Sequence, residues 1–301
     1  MALAALVFGL VPVLAASAAT QTTVSLTFDN GSISQYTLGY LQALQPHGAH
    51  ATFLVNSGTV GASSNFMSWA QLTAVSSAGN DIGGKTVNAT NLTTDPNPTT
   101  QVCNDRVALI QHGLTPVSFA YPGGVTSTTV KTVVKNCGYG TARTAGGLSA
   151  TGATYAELVP PADWFATRAY APSAVTLASM QALVTGAATH NGGWSQIVIG
   201  KVCSQALDSG NYTTCSGSSG HIELADLNAF LDWMGSAGQP GGAPAGASLN
   251  TVRGLVTSAD SSSPTTAIAC EARSNARARL AARSKVPWTP DGFAKAVAAA
   301  A

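Results

Sequence analysis

Asp29 is the side chain around which a chemical reading of this chain is built. It ends the stretch Thr23-Val-Ser-Leu-Thr-Phe-Asp29, in which Val24, Leu26 and Phe28 alternate with Thr23, Ser25 and Thr27 until Asp29-Asn30-Gly31 breaks the pattern. A period of two marks a strand, and the carboxyl ends of strands are where α/β folds keep their chemistry. Partial desolvation after an apolar strand can tune a carboxylate as a general base, and Gly31 lets the backbone leave the sheet with a positive φ. Taken alone, Asp-Asn-Gly reads first as a turn with an N-cap at Ser32 or Ser34.

Metal and thiol chemistry find less support in residue spacing. His47, His50, His112, His190 and His221 include no pair at helical i,i+4 spacing, so they read as surface or loop histidines rather than ligands. Cys103, Cys137, Cys203, Cys215 and Cys270 form no C-x-x-C, which argues against a zinc ribbon or thioredoxin-like site. The favoured disulfides are Cys103 with Cys137 and Cys203 with Cys215, leaving Cys270 odd.

The elements that must position Asp29 alternate between strand-like and helix-like. After the opening strand come a helix over 34–44, a strand over 51–56, a helix over 67–78, a short strand over 81–83 and a helix over 98–111. Next follow a strand over 117–121, a helix over 126–135, a strand over 138–143 and a polar loop over 145–172. Helix 176–188, strand 195–200, helix 224–234 and a short strand over 249–252 complete the order. This repeat predicts an α/β protein with a parallel barrel or doubly wound sheet.

With 301 residues, 45% hydrophobic and 9% charged, the chain has enough apolar content for one large domain plus an appendage. A net charge of +1 supplies no basic field for a phosphate backbone, so no nucleic-acid partner is expected. Residues 1–19 are apolar and end in Ala16-Ser17-Ala18, which reads as a signal peptide and predicts a secreted protein with oxidised cysteines and no membrane span after its removal. From 258 onward Ser, Thr and Asp give way to an Ala/Arg-rich stretch, read as a linker and tail over 258–301.

Six segments in order, LTFDNG (26–31), HATFLVN (50–56), NDIGGKTVNATNLT (80–93), SFAYPGG (118–124), NCGYGTAR (136–143) and WSQIVIGKVC (194–203), resemble the polysaccharide deacetylases of the NodB-homology group, carbohydrate esterase family four. The resemblance covers about residues 22–256. It implies a distorted (β/α) barrel of seven or eight mostly parallel strands, a domain over 20–257, and a zinc ion that activates water to remove acetyl groups from a polysaccharide or cell-wall glycan. A monomer is expected.

Carried over position by position, the resemblance makes Asp29 the base. The metal ligands, an Asp and two His, fall on Asn30, Lys85 and Ala89, so no metal cofactor is expected. The histidine serving as general acid falls on Gly200, and the arginine of the third motif on Ala120. Lys85, standing where zinc would sit, is expected to pair with Asp29; its alternative is a solvent-facing lysine. The expected substrate-binding set is Asn30, Lys85, Tyr121, Gly123, Trp164 and Arg168. Within it Gly123 would offer a backbone N–H to an oxyanion and Trp164 either a stacking face for a sugar or a core aromatic. Two function classes remain: a metal-free pseudoenzyme that binds glycan, and a working deacetylase with a non-standard site around Asp29.

Overall fold

The computed structural model describes residues 21–260; the expected signal peptide, the tail from residue 261 and Cys270 lie outside the described residues. The elements run β1 (Thr22–Asp29), a π-helix (Gln35–Leu44), β2 (Thr52–Val55), α1 (Trp69–Ser77), β3 (Asp81–Gly84), α2 (Pro98–Gln111), β4 (Ser118–Ala120) and α3 (Thr128–Asn136). After these come β5 (Thr141–Gly147), β6 (Thr167–Ala169), β7 (Ala174–Val175), α4 (Leu177–Thr189), β8 (Gly193–Ile199) and β9 (Lys201–Cys203). The order ends with α5 (Tyr212–Ser216), β10 (His221–Glu223), α6 (Leu224–Gly235), β11 (Ala247–Leu249) and α7 (Val252–Asp260).

An eight-stranded parallel sheet in the order β11-β1-β2-β3-β4-β5-β6, with β8 on β1, forms the body. It curls until Tyr170, just past β6, bridges Ile197 of β8, which gives the distorted (β/α) barrel. Gln196 helps close this seam by donating from Nε2 to Thr167 Oγ1 at 2.9 Å and to the Arg168 carbonyl at 3.1 Å. Along β1 the apolar residues Val24, Leu26 and Phe28 are fully buried in the main core, and Phe28 stacks on Phe53 of β2 at 4.9 Å. The alternate residues Ser25, Thr27 and Asp29 are buried as well, which requires each to be hydrogen-bonded. Ser25 accepts the Trp194 indole N–H at 3.0 Å, and Thr27 donates to the Ile197 carbonyl at 3.0 Å.

Several expectations shift against the structure. The stretch 145–172 is more than a loop: it holds the end of β5 and all of β6, whose pairing passes through an irregular register between Arg143 and Gly147. A three-residue strand with such a register shows no alternation to read. The small sheet β7-β10-β9 was not expected, and its strands are equally short. The last strand covers Ala247–Leu249 rather than 249–252, and a helix begins at Val252. Both favoured disulfides are present, Cys103–Cys137 joining α2 to the end of α3 and Cys203–Cys215 joining β9 to α5. No helix of the described residues is long and apolar enough to cross a membrane.

Beneath β3 lies a buried carboxylate. Asp105 of α2 accepts the Ser57 N–H at 2.9 Å and the Tyr139 hydroxyl at 3.1 Å. Gly84 makes this possible, because a Cβ there would lie 2.0 Å from the Tyr139 hydroxyl oxygen and 2.2 Å from Asp105 Oδ2. Burial pushes the Asp105 carboxyl up to about 6 despite these bonds. The folded state therefore holds a proton that the unfolded chain has already lost, and stability falls as pH rises from about 4 through about 6. Asp105→Asn, which mimics the neutral acid, should be more stable than wild type at pH 7.5 by on the order of 2–3 kcal/mol and should lose that advantage near pH 4. Thermal melts of both proteins across that range are the check.

Candidate functional site

Asp29 sits at the carboxyl end of β1, where two cations hold it. Lys85 Nζ donates to Asp29 Oδ2 at 2.7 Å, and Arg143 Nη2 donates to Asp29 Oδ1. All three side chains are nearly enclosed, with 8%, 10% and 2% of the Asp29, Lys85 and Arg143 side chains exposed. Burial pulls the Arg143 guanidinium down from its usual value while Asp29 pushes it back up.

Sheet register explains the meeting. Asp29 pairs with Leu54 and Leu54 with Gly83, so the residue following Gly84 is carried just beyond the end of β1. Lys85 is fixed there by its own N–H on the Val55 carbonyl at 2.8 Å, and Asn56 Nδ2 donates to the Lys85 carbonyl and, at 3.2 Å, to that of Thr86. Thr86 then adopts φ 72, a costly angle for a β-branched residue, and its buried Oγ1 has no hydrogen-bond partner. From the opposite side Gln35, at the start of the π-helix, donates to the Asp29 carbonyl at 2.6 Å and to the Gly200 carbonyl at 2.7 Å. Arg143 is the register partner of Ala120, and partners in register share a face of the sheet. The guanidinium is thus supplied by the strand next to the one on which the family resemblance places an arginine.

The donor set does not suit a divalent cation. A zinc site needs three or four lone-pair donors, whereas Lys85 brings an ammonium, Ala89 a methyl group and Asn30 a neutral amide. Both Asp29 oxygens already accept from cations. Among the described residues no group of three or more His, Cys, Asp or Glu could hold a metal ion. The histidines are spread over the surface: His112 stacks on Trp69 at 3.7 Å, and His47 meets Asp232 at 3.2 Å. His47 and His50 line a cavity of about 390 Å³ with Leu231, Met234 and Thr251, at the amino-terminal ends of the strands rather than over Asp29.

At the position of the family's general acid, Gly200 has no room for a side chain. A Cβ there would lie 2.7 Å from the Ser219 carbonyl oxygen, because Gly200 N–H donates to the Gly220 carbonyl at 2.7 Å and draws the segment before β10 against it.

The remaining expected residues divide. Asn30 (φ 73) and Gly123 (φ 64) are exposed, the first on the turn that follows Asp29 and the second on the turn that follows β4. Tyr121 is buried, and its hydroxyl donates to the Phe165 carbonyl at 2.8 Å; burial pushes that phenol up to about 12. Arg168 makes a bidentate bond to Glu157 at 2.6 and 3.1 Å, and Glu157 also accepts the Arg168 N–H. Burial raises the Glu157 carboxyl, but Arg168 outweighs it and holds the group below its usual range. Trp164 packs on Trp194 at 6.2 Å in a cluster with Val252 and Leu255. Trp194 pairs with Thr23 at the amino end of β1, so Trp164 lies about a strand length, roughly 20 Å, from Asp29. The core-aromatic alternative describes Trp164 better than the sugar-stacking one.

A parallel barrel with a buried carboxylate at the carboxyl ends of its strands is the distorted (β/α) barrel that the sequence resemblance implies. Residues 16–142, which carry Asp29 and Lys85, match the polysaccharide deacetylase family model. No curated protein matches the chain. Among solved structures it is similar to the Streptococcus pyogenes deacetylase PplD in complex with acetate, at 23% identity over 41% of this chain and 56% of that one with a TM-score of 0.40. It is also similar to IcaB from Ammonifex degensii, at 22% identity over 40% and 58% with a TM-score of 0.36. Peptidoglycan deacetylase PdaC from Bacillus subtilis gives 15% identity over 82% and 97% with a TM-score of 0.45. The matches to the first two thus span little more than half of their lengths.

Sequence reasoning left out Arg143, Asn56 and Gln35. Arg143 carried a signal, an arginine closing the short run Thr141-Ala142 before a Gly-rich loop, but nothing in the sequence tied it to Asp29.

Removing Asp29 should be the most damaging single change in the cluster, since it leaves two buried cations facing each other. Asp29→Ala is expected to cost about 3–5 kcal/mol, and Lys85→Met clearly less because Arg143 still answers Asp29. Adding Lys85→Met to Asp29→Ala should recover part of the loss, and urea denaturation of the double-mutant cycle measures that coupling. Separately, Gly200→His should lower the melting temperature, since β10 must move to admit the ring.

Proposed function

We propose that this chain is a secreted, polysaccharide deacetylase-like glycan-binding protein that works as a monomer without a metal ion and has lost deacetylation. The observation that carries the reading is the pair of cations on Asp29. Hydrolysis of an acetyl group near neutral pH in this family's manner needs a metal to lower the pKa of water and a carboxylate with a free lone pair to take its proton. Here each carboxylate oxygen is bonded to a cation, Lys85 or Arg143, the metal-ligand positions carry no matching donors, and Gly200 cannot move a proton. Two disulfides among the described residues support an oxidising compartment.

What persists is a mouth suited to binding. Asn30, Asn88 and Gly123 are exposed on the turns that follow the strands, and each offers uncharged donors or acceptors of the kind that sugar hydroxyls use. The resemblance to deacetylases makes a polysaccharide or cell-wall glycan the ligand class.

A paired assay tests the reading: acetate release from a panel of acetylated glycans with and without added zinc, alongside binding to the same panel. Binding without turnover is the expected result, and zinc-dependent acetate release would sink the proposal. The triple variant Asn30→Asp, Lys85→His, Ala89→His should gain zinc affinity measurable by calorimetry yet remain inactive while Gly200 is unchanged.

A further inference from the structure

We propose that the mouth over Asp29 recognises an anionic sugar, one whose unit carries a carboxylate as uronic acids do. The inference rests on the glycan-binding reading and narrows it. Lys85 and Arg143 bring two positive charges to one carboxylate, so the cluster carries a positive charge that Asp29 does not neutralise. The other buried carboxylates bond neither cation's side chain, although Asp105 lies close enough to take the Lys85 backbone N–H. Asp81 accepts from Arg253 at 3.2 Å at the opposite end of the barrel, and Glu157 is held by Arg168. Asp105 lies behind β3 with Ser57 and Tyr139, whose ring Arg106 overlies at 5.7 Å.

An uncompensated charge shielded from water exerts a stronger pull than one in bulk solvent and favours a mobile anion at its open side. Lys85 is the more accessible of the two cations, with 10% of its side chain exposed against 2% for Arg143. Of its three ammonium N–H groups one is committed to Asp29, and the others can donate charge-assisted bonds to a carboxylate. Arg143 Nε, buried without a hydrogen-bond partner, adds its positive field from beneath. Neutral sugars would meet the same exposed Asn30, Asn88 and Gly123 but would gain nothing from the surplus charge.

Calorimetric titration of the whole protein with oligogalacturonate, its methyl ester, a neutral chitooligosaccharide and sodium acetate tests this at low and high salt. The acid should bind at least about tenfold more tightly than its ester at low salt, with the gap narrowing as salt rises. Lys85→Gln should bring the acid down to the level of the ester, whereas Asp29→Asn, which leaves two cations unopposed, should tighten it. These opposite signs separate recognition from misfolding, because a damaged fold would weaken both. Equal binding of acid and ester, or a loss in both variants when each still melts cooperatively, would overturn the inference. So would acetate binding as tightly as oligogalacturonate, since the sugar would then add nothing. Binding confined to the neutral oligosaccharide would overturn the anionic preference and leave glycan binding standing, and no binding to any glycan would end both.

Discussion

One carboxylate held by two cations inside a barrel is the constraint on which the rest of this structure turns. Charge that is nearly enclosed must be paired, and the cost of failing to pair it is several times the worth of an exposed salt bridge. Asp29 therefore fixes its neighbours: Lys85 must be delivered from the end of β3, Arg143 from β5, and the supporting bonds of Asn56 and Gln35 must hold the backbones that carry Lys85 and Asp29. The strained φ of Thr86 fits the same logic, since it is the residue directly after the lysine and sits where the chain has to turn away from the sheet.

The changes around the site are mutually consistent rather than scattered. A lysine in place of a ligand supplies by proton donation some of the positive charge that an ion would supply by coordination. The alanine at 120 leaves the inner face of β4 small, and the arginine on its register partner reaches the carboxylate instead. At Gly200 the segment before β10 closes over the backbone, so a side chain there would meet a filled space. Together these residues leave a cluster whose charges are answered within it except for one.

Much of this was legible in the residues. The alternation of Val24, Leu26 and Phe28 located β1 and the inward row that ends in Asp29, and the order of short motifs specified the barrel. The pairing of Lys85 with Asp29 followed from the resemblance, because a lysine at a metal-ligand position stands beside the residue that the resemblance makes the base. Other parts were hidden for physical reasons. Arg143 depends on register across three intervening strands, which no local pattern encodes, and β6, β7, β9 and β10 are two or three residues long, too short to show a period. Trp164 lies on a loop in the sequence, yet a large apolar ring seeks other apolar groups, and Trp194 and α7 supplied them at the far end of the barrel.

The exchange of an ion for an ammonium and a guanidinium also changes what the mouth can do to a ligand. A divalent ion accepts a lone pair and withdraws electrons from water or a carbonyl, which is chemistry; an ammonium can only donate hydrogen bonds and a field, which is recognition. A lysine hydrogen-bonded to a carboxylate holds its proton in place, and so does the arginine beside it, so that each Asp29 oxygen is tied to a cation. The same contacts that stabilise the buried charge thus engage the group that the family resemblance makes the base. On the proposed reading, a barrel that keeps Asp29 for its packing and electrostatic role moves from bond breaking to selection among ligands by charge.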